Sequence, residues 1–247
     1  MKNKTVIITG ASTGIGKEIA KYFIERDSNV IMNSSNEEKL KNTYEEFGSP
    51  SNVIYHAGDI SKQKTGQRLV HLAIEKFGVV DVLINNAGIF SPKPFLDVKE
   101  EDLDLYWNVN LKGTYFTSQS VIPQMIKQQS GSIINIGTVL VEHAIDGFPA
   151  TAPLVSKGAI HTLTRQLAAE FGKNNIKINT IAPGIIRSPL QEKIGIENAD
   201  SLAGLHLLNR IGEANEIAEA AYYLATADFI TGETINVAGG HTVGHTA

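Results

Sequence analysis

Residues 9–16 read Thr9-Gly10-Ala11-Ser12-Thr13-Gly14-Ile15-Gly16: a run with the look of a buried strand, 5–9, ends in this stretch, and a helical pattern, 15–26, starts from it. The spacing is Gly-x-x-x-Gly-x-Gly. Gly10 can take backbone angles closed to residues that carry a Cβ, Gly14 allows a ligand close to the main chain, and Gly16 lets helix pack on strand. The unpaired N–H groups and positive end of the new helix then attract a pyrophosphate. Taken alone, such a turn is also an ordinary strand-to-helix connection. The remainder of the chain decides between the two.

Strand-like runs recur at 6–9, 29–33, 52–56, 80–85, 132–136, 176–181 and 234–237, and amphipathic helical patterns occupy about 15–26, 36–47, 62–77, 99–128, 151–171 and 213–225. Regular alternation of this kind predicts an α/β fold, a seven-stranded parallel sheet with helices on both faces, in one doubly wound domain spanning 1–247. Gly48, Gly78 and Gly172 follow helical runs where a left-handed cap belongs. A net charge of -4 with interspersed signs leaves no basic face for nucleic acid, and the absence of cysteine excludes disulfides and thiol nucleophiles. No apolar run is long enough to span a bilayer and no signal-type segment precedes the first strand, so a cytoplasmic protein with small-molecule partners is expected.

In doubly wound sheets ligands sit beyond the carboxyl ends of the strands. Those ends carry Gly10 to Gly16, Ser34 and Ser35, Gly58 to Ile60, Asn86 to Gly88, Gly137 and Thr138, and Ala182 to Ser188. With Asn85-Asn86-Ala87-Gly88, Asn110 in Asn-Val-Asn-Leu-Lys-Gly, Ser156-Lys157-Gly158-Ala159, Pro183-Gly184 and Thr231-Gly232, the chain resembles the short-chain dehydrogenase/reductase family along its whole length.

The resemblance implies a Rossmann-type domain that binds NADP or NAD and moves hydride between the nicotinamide and an alcohol or carbonyl substrate. It assigns cofactor binding to Gly10, Ser12, Thr13, Gly14, Ile15, Gly16, Ser34, Ser35, Asp59, Ile60, Asn86, Ala87, Gly88, Lys157, Pro183, Gly184, Ile186 and Ser188. Asp59 would accept from the adenine amino group, its alternative being an N-cap for the next helix; Lys157 would hold the ribose hydroxyls, its alternative being solvated surface. Asn110 would interrupt a helix and hold a water, or else be a satisfied buried amide, and Thr138 stands in place of a substrate-orienting serine.

Thr138 is a mild departure from the resemblance, and a second position departs sharply. The family's proton-donating tyrosine belongs four residues before the lysine, where this chain has Pro153, and none of its seven tyrosines lies between Thr138 and Lys157. Proline suits the first turn of the 151–171 helix, with Thr151 able to cap it. The catalytic set is then Asn110, Thr138 and Lys157, with His143 as a substitute acid to test. Asn33-Ser34-Ser35-Asn36 offers neither a carboxylate nor a cation to the ribose, and the reading leans to NADP.

Residues 188–212, with Leu190, Ile194, Ile196, Leu202, Leu205, Leu207 and Leu208, read as a lid over an apolar pocket or as a plain surface helix pair. His241 and His245 lack a helix to align them and give no metal site. The apolar surplus of 99–128 and 151–171 predicts a homotetramer or homodimer. An oxidoreductase is expected, the alternative being a dinucleotide-binding sensor or structural subunit that has lost turnover.

Overall fold

The computed structural model describes residues 1–244. Seven parallel strands, β1 (Thr5–Thr9), β2 (Asn29–Ser34), β3 (Val53–Ala57), β4 (Val82–Asn85), β5 (Gly131–Ile136), β6 (Ile176–Pro183) and β7 (Thr234–Val237), form one sheet in the order β3-β2-β1-β4-β5-β6-β7. The order reverses between β1 and β4, so the carboxyl ends of these two strands border the crevice where such folds bind ligands.

Alternation along the strands explains why their sequences read as unbroken apolar runs. Val6 and Ile8 enter one core with Phe23 of α1 (Gly14–Ile24), Leu40 of α2 (Glu37–Glu46) and Leu224 of α8 (Ala214–Thr226). Ile7 points the other way, toward Leu69 of α3 (Gln63–Phe77), Met125 of α5 (Gly113–Gln128) and Ala168 of α6 (Thr151–Phe171). No helix among the described residues is long and apolar enough to cross a membrane.

The run 99–128 is not one helix. It comprises α4 (Glu100–Tyr106), a π-helical turn (Trp107–Lys112) and α5. Tertiary bonds hold the interruption: Asn110 Oδ1 accepts from Ile89 N at 2.8 Å, and its Nδ2 donates to Ile89 O at 3.1 Å and Ser156 Oγ at 2.9 Å. Gly48 and Gly78 take the expected left-handed caps at φ +82° and +75°. Gly172 does not, having φ -56°; the chain continues through the 3₁₀ turn Gly172–Asn174, and Asn175 takes the positive φ instead. Thr151 is also corrected: it is the first residue of α6, behind Ala150, and no side chain caps that helix. Pro153 falls in the first turn, where no intrahelical N–H bond is lost. The 188–212 segment forms α7 (Pro189–Lys193), capped by Ser188, and a 3₁₀ stretch (Ala199–Leu205).

A buried chain of amides and hydroxyls ties β4, β5 and β6 to the helices above them. Asn85 Nδ2 donates to Ser118 Oγ (3.0 Å) and to Asn135 Oδ1 (2.9 Å), Asn135 Nδ2 donates to Thr164 Oγ1 (2.8 Å), and Thr164 Oγ1 lies 2.7 Å from Thr180 Oγ1. Cutting this chain in its middle strands polar groups on both sides in low dielectric. Asn135→Ala is therefore expected to lower the unfolding free energy by about 2–4 kcal/mol, read as a reduced urea midpoint at constant m-value. A midpoint equal to that of the parent protein would refute this account of the interior.

Candidate active site

The glycine turn is fastened to the neighbouring strand end by hydrogen bonds at the switch point. Asn86 N and Ala87 N both donate to Thr9 Oγ1, at 3.1 and 3.0 Å. Asn86 Nδ2 donates in turn to Thr9 O at 3.0 Å and Gly10 O at 3.1 Å. Gly10 has φ +68°, and a Cβ there would stand 2.8 Å from Ala87 Cα. Gly16 lies beneath the turn, where a Cβ would come within 2.2 Å of Gly10 O and 2.3 Å of Asn86 Nδ2. Thr13 offers the first turn of α1 no side-chain acceptor, so the helix end keeps its capacity for an anion.

Above the turn opens a cavity of about 900 Å³ that runs across the carboxyl edge of the sheet. Of the residues assigned from sequence it is lined by Gly10, Ser12 to Ile15, Ser34, Ser35, Asp59, Ile60, Asn86 to Gly88, Thr138, Lys157, Pro183, Gly184, Ile186 and Ser188. Gly16 and Asn110 do not line it: the first supports the turn from below, and the second is fully buried, bonded to Ile89 and Ser156. At one end Ser12 Oγ and Ser34 Oγ are 2.9 Å apart and Asn33 Nδ2 donates to His56 O and Gly58 O, shaping a polar recess. Asp59 is not an N-cap, since α3 begins after Lys62; its Oδ1 accepts from Ser61 N at 2.9 Å in a tight turn on the cavity wall.

The other end is mainly apolar, with Asp146 and Lys193 also among its lining residues. Phe90 and Phe148 stack with centroids 5.9 Å apart and planes 14° off parallel, and Leu140, Ile145, Leu190, Ile194 and Leu205 complete the wall. Between the two ends stands Lys157, whose Nζ donates to Ile136 O at 2.6 Å. A Cβ on Gly88 would lie 3.2 Å from that Nζ and 3.2 Å from Asn110 Oδ1, so a side chain there would press on both groups and require them to give by a few tenths of an ångström. Burial alone pushes the Lys157 ammonium down to a pKa of about 8. Thr138, two residues past Ile136 at the same strand end, lines the cavity with its Oγ1 accepting from Leu140 N at 3.3 Å.

A family model described as Enoyl-(Acyl carrier protein) reductase matches residues 10–242. The chain is 34% identical to the 3-oxoacyl-[acyl-carrier-protein] reductase FabG of Thermotoga maritima over 97% of its own length and 98% of that protein's. Among solved structures it is similar to gox2181 (TM-score 0.93, 27% identity, covering 99% of this chain and 97% of that one) and to ElxO with NADP bound (TM-score 0.89, 34% identity, covering 98% and 99%). The chain belongs to the short-chain dehydrogenase/reductase family.

Two features of this short-chain dehydrogenase/reductase differ from the expectations. Lys39, in the first turn of α2, lines the cavity beside Ser34, Ser35 and Asn36, and its N–H donates to Asn36 Oδ1 at 2.8 Å. The ribose end therefore does have a cation, which a reading that stopped at Asn36 missed. The helix cap at Asn36 was the signal, since it fixes the third residue of α2 at the mouth of the recess. The second correction concerns His143. It does not line the cavity, because the chain turns back after the 3₁₀ turn Val139–Val141 and His143 N donates to Val139 O. Its ring stands edge-on to His241 at 5.2 Å, and His241 lies 5.3 Å from His206, whose Nε2 accepts from Ile185 N at 3.1 Å. His245 lies outside the described residues.

Proposed function

We propose that the protein is an NAD(P)-dependent oxidoreductase, preferring NADP, that acts on an alcohol or carbonyl compound with an apolar body. The observation that carries this reading is the continuous cavity, polar at the glycine turn, holding a single lysine at its middle and closing on a stacked phenylalanine pair. The residues fit a dinucleotide: Gly10 and Gly14 leave the main chain open at the helix end, Ser12 and Ser34 form the ribose recess, and Asp59 and Ile60 flank the adenine position. Pro183, Gly184, Ile186 and Ser188 supply the wall for the nicotinamide. When bound, the cofactor supplies or accepts hydride; Lys157 holds and orients its ribose, Thr138 hydrogen-bonds the substrate oxygen, Asn110 fixes the backbone that carries the 89–90 wall, and the apolar end excludes water.

The same reading takes Pro153 as the occupant of the position where the family places its tyrosine. Pro153 is buried and does not line the cavity, and no tyrosine does among the described residues. We further read the chain as one domain whose 188–212 segment acts as the lid, bringing Leu190, Ile194, Ile196, Leu202 and Leu205 over the substrate end. Leu103, Leu105, Trp107, Tyr115 and Val155 leave apolar surface exposed along α4 to α6, the material of a self-association interface. Sedimentation at micromolar concentration is expected to give a dimer or tetramer, and a monomer alone would remove this assignment.

The test of function is titration with NADPH and NADH, followed by nicotinamide absorbance with a panel of apolar aldehydes, ketones and alcohols. Binding with turnover supports the reading, binding without turnover across the panel leaves a dinucleotide-binding protein, and no binding refutes both. Lys39→Glu separates the cofactors. It places a carboxylate where a 2'-phosphate would meet an ammonium, and NADPH affinity should fall at least about tenfold while that for NADH changes by less than about threefold. Equal losses for both would remove Lys39 from phosphate recognition.

A further inference from the structure

Resting on the oxidoreductase reading, we propose that the Lys157 ammonium is itself the proton donor to the substrate oxygen, with Thr138 orienting that oxygen. The cavity limits the choice of donor. Its ionisable lining residues are Lys39, Asp59, Asp146, Lys157 and Lys193. Lys39 and Asp59 belong to the polar end with Ser34 and Gly58, Lys193 closes α7, and Asp146 sits in the loop after β5. Only Lys157 is fixed at the strand end that also carries Thr138, by its bond to Ile136 O. An ammonium has three N–H bonds, and that acceptor takes one of them.

The neighbours leave the role to it. Thr138 has an aliphatic hydroxyl that can share a hydrogen bond without ionising near neutrality. Asn110 is committed to Ile89 and Ser156, and Tyr106, off the cavity, gives its hydroxyl to Ser91 O at 3.1 Å. His161, one turn further along α6, faces Lys157, Glu142 and Arg165, and Asp146 lines the same cavity; burial lowers the His161 pKa, which keeps it neutral at pH 7. Lys157 is itself brought by desolvation to about 8, near the pH at which a donor works best.

The step balances as follows. In reduction the carbonyl carbon gains hydride from the reduced cofactor and the C=O π bond opens onto oxygen, which takes a proton from Nζ as that N–H bond breaks. The product is the alcohol, and the neutral amine regains a proton from cavity water. In oxidation the amine accepts the alcohol proton while hydride leaves the carbon.

Three measurements test it. In lysine-¹³Cε-labelled protein without cofactor, the resonance lost in Lys157→Arg should titrate near pH 8, well below the exposed lysines near 10.5. Turnover should fall about tenfold per pH unit above that value in the reducing direction, and about tenfold per unit below it in the oxidising direction. Lys157→Arg keeps a cation that does not release protons near neutrality. At saturating NADPH it should reduce carbonyls at least about a hundredfold more slowly than the parent, with the inflection gone. A titration near 10.5, an Arg variant within threefold of parental turnover, or an inflection that survives the substitution each overturns the assignment, the last transferring the role to Asp146. Parent protein that binds NADPH without turning over any carbonyl also overturns it while leaving cofactor binding intact. Failure of the parent to bind NADPH refutes instead the reading beneath it.

Discussion

Gly16→Ala is expected to weaken NADPH binding at least about a hundredfold. The added methyl would stand 2.2 Å from Gly10 O and 2.3 Å from Asn86 Nδ2, distances that neither backbone nor a doubly bonded amide can absorb in place. Relief requires α1 to move off β1 or the Asn86 bonds to break, and overpacking of this sort costs about 1–3 kcal/mol with about 1 kcal/mol more for each bond lost. At 1.4 kcal/mol per tenfold, a cost near 3 kcal/mol amounts to about two orders of magnitude in affinity. Gly172→Ala is the control, because its φ is -56° and nothing lies within 4 Å of its Cβ position. Calorimetric titration of the two variants, with circular dichroism to verify folding, decides the matter: a Gly16→Ala protein binding within threefold of the parent would show that the turn does not hold the cofactor.

Lys157→Met is expected to act in opposite directions on activity and stability. Turnover should drop by about a hundredfold to ten-thousandfold, the range for loss of a positioned acid or base. Stability should rise. The lysine titrates near 8 when folded and near 10.5 when unfolded, so below pH 8 the folded state carries a desolvated charge whose penalty is fully present, and it is relieved as pH climbs toward 10.5. The gain for Met is thus largest at neutral pH, at most about 3 kcal/mol once cavity water is allowed for, and shrinks across pH 8–10.5. Urea unfolding of both proteins at pH 7 and 10 reads it; a Met variant less stable than the parent at pH 7 would mean that the ammonium is a structural tie to β5 more than an imposed charge.

The strands were legible because both faces of a parallel sheet are covered, so β1, β2 and β5 read as near-continuous Val/Ile runs whose ends fall within one or two residues of the expected positions. The turns after them were legible for the same reason: once a strand end is placed, the polar residues beyond it belong to the crevice, and Ser12, Asn86, Thr138 and Ser188 all line the cavity. What escaped depends on contacts distant in sequence. The break at Trp107–Lys112 was expected at Asn110 from the family resemblance alone; what holds it, Asn110 reaching Ile89 and Ser156, partners 21 and 46 residues away, is encoded in no local periodicity. Lys39 was missed because its place follows from the geometry of a helix start, and His143 was misplaced because one backbone bond to Val139 O turns the loop. Thr151 and Gly172 show the limit of propensity: each is a favoured terminal residue, yet α6 begins without a side-chain acceptor and ends by tightening into a 3₁₀ turn.

One surplus residue between α4 and α5 rotates everything downstream by about 100° relative to an unbroken rod. The face bearing Thr117, Val121 and Met125 meets the sheet only because of that phase shift, while Tyr106 stays inward on the upstream side. Deleting Val109 would yield a straighter, locally better-bonded spiral and, for that reason, a molecule unable to seat both halves at once.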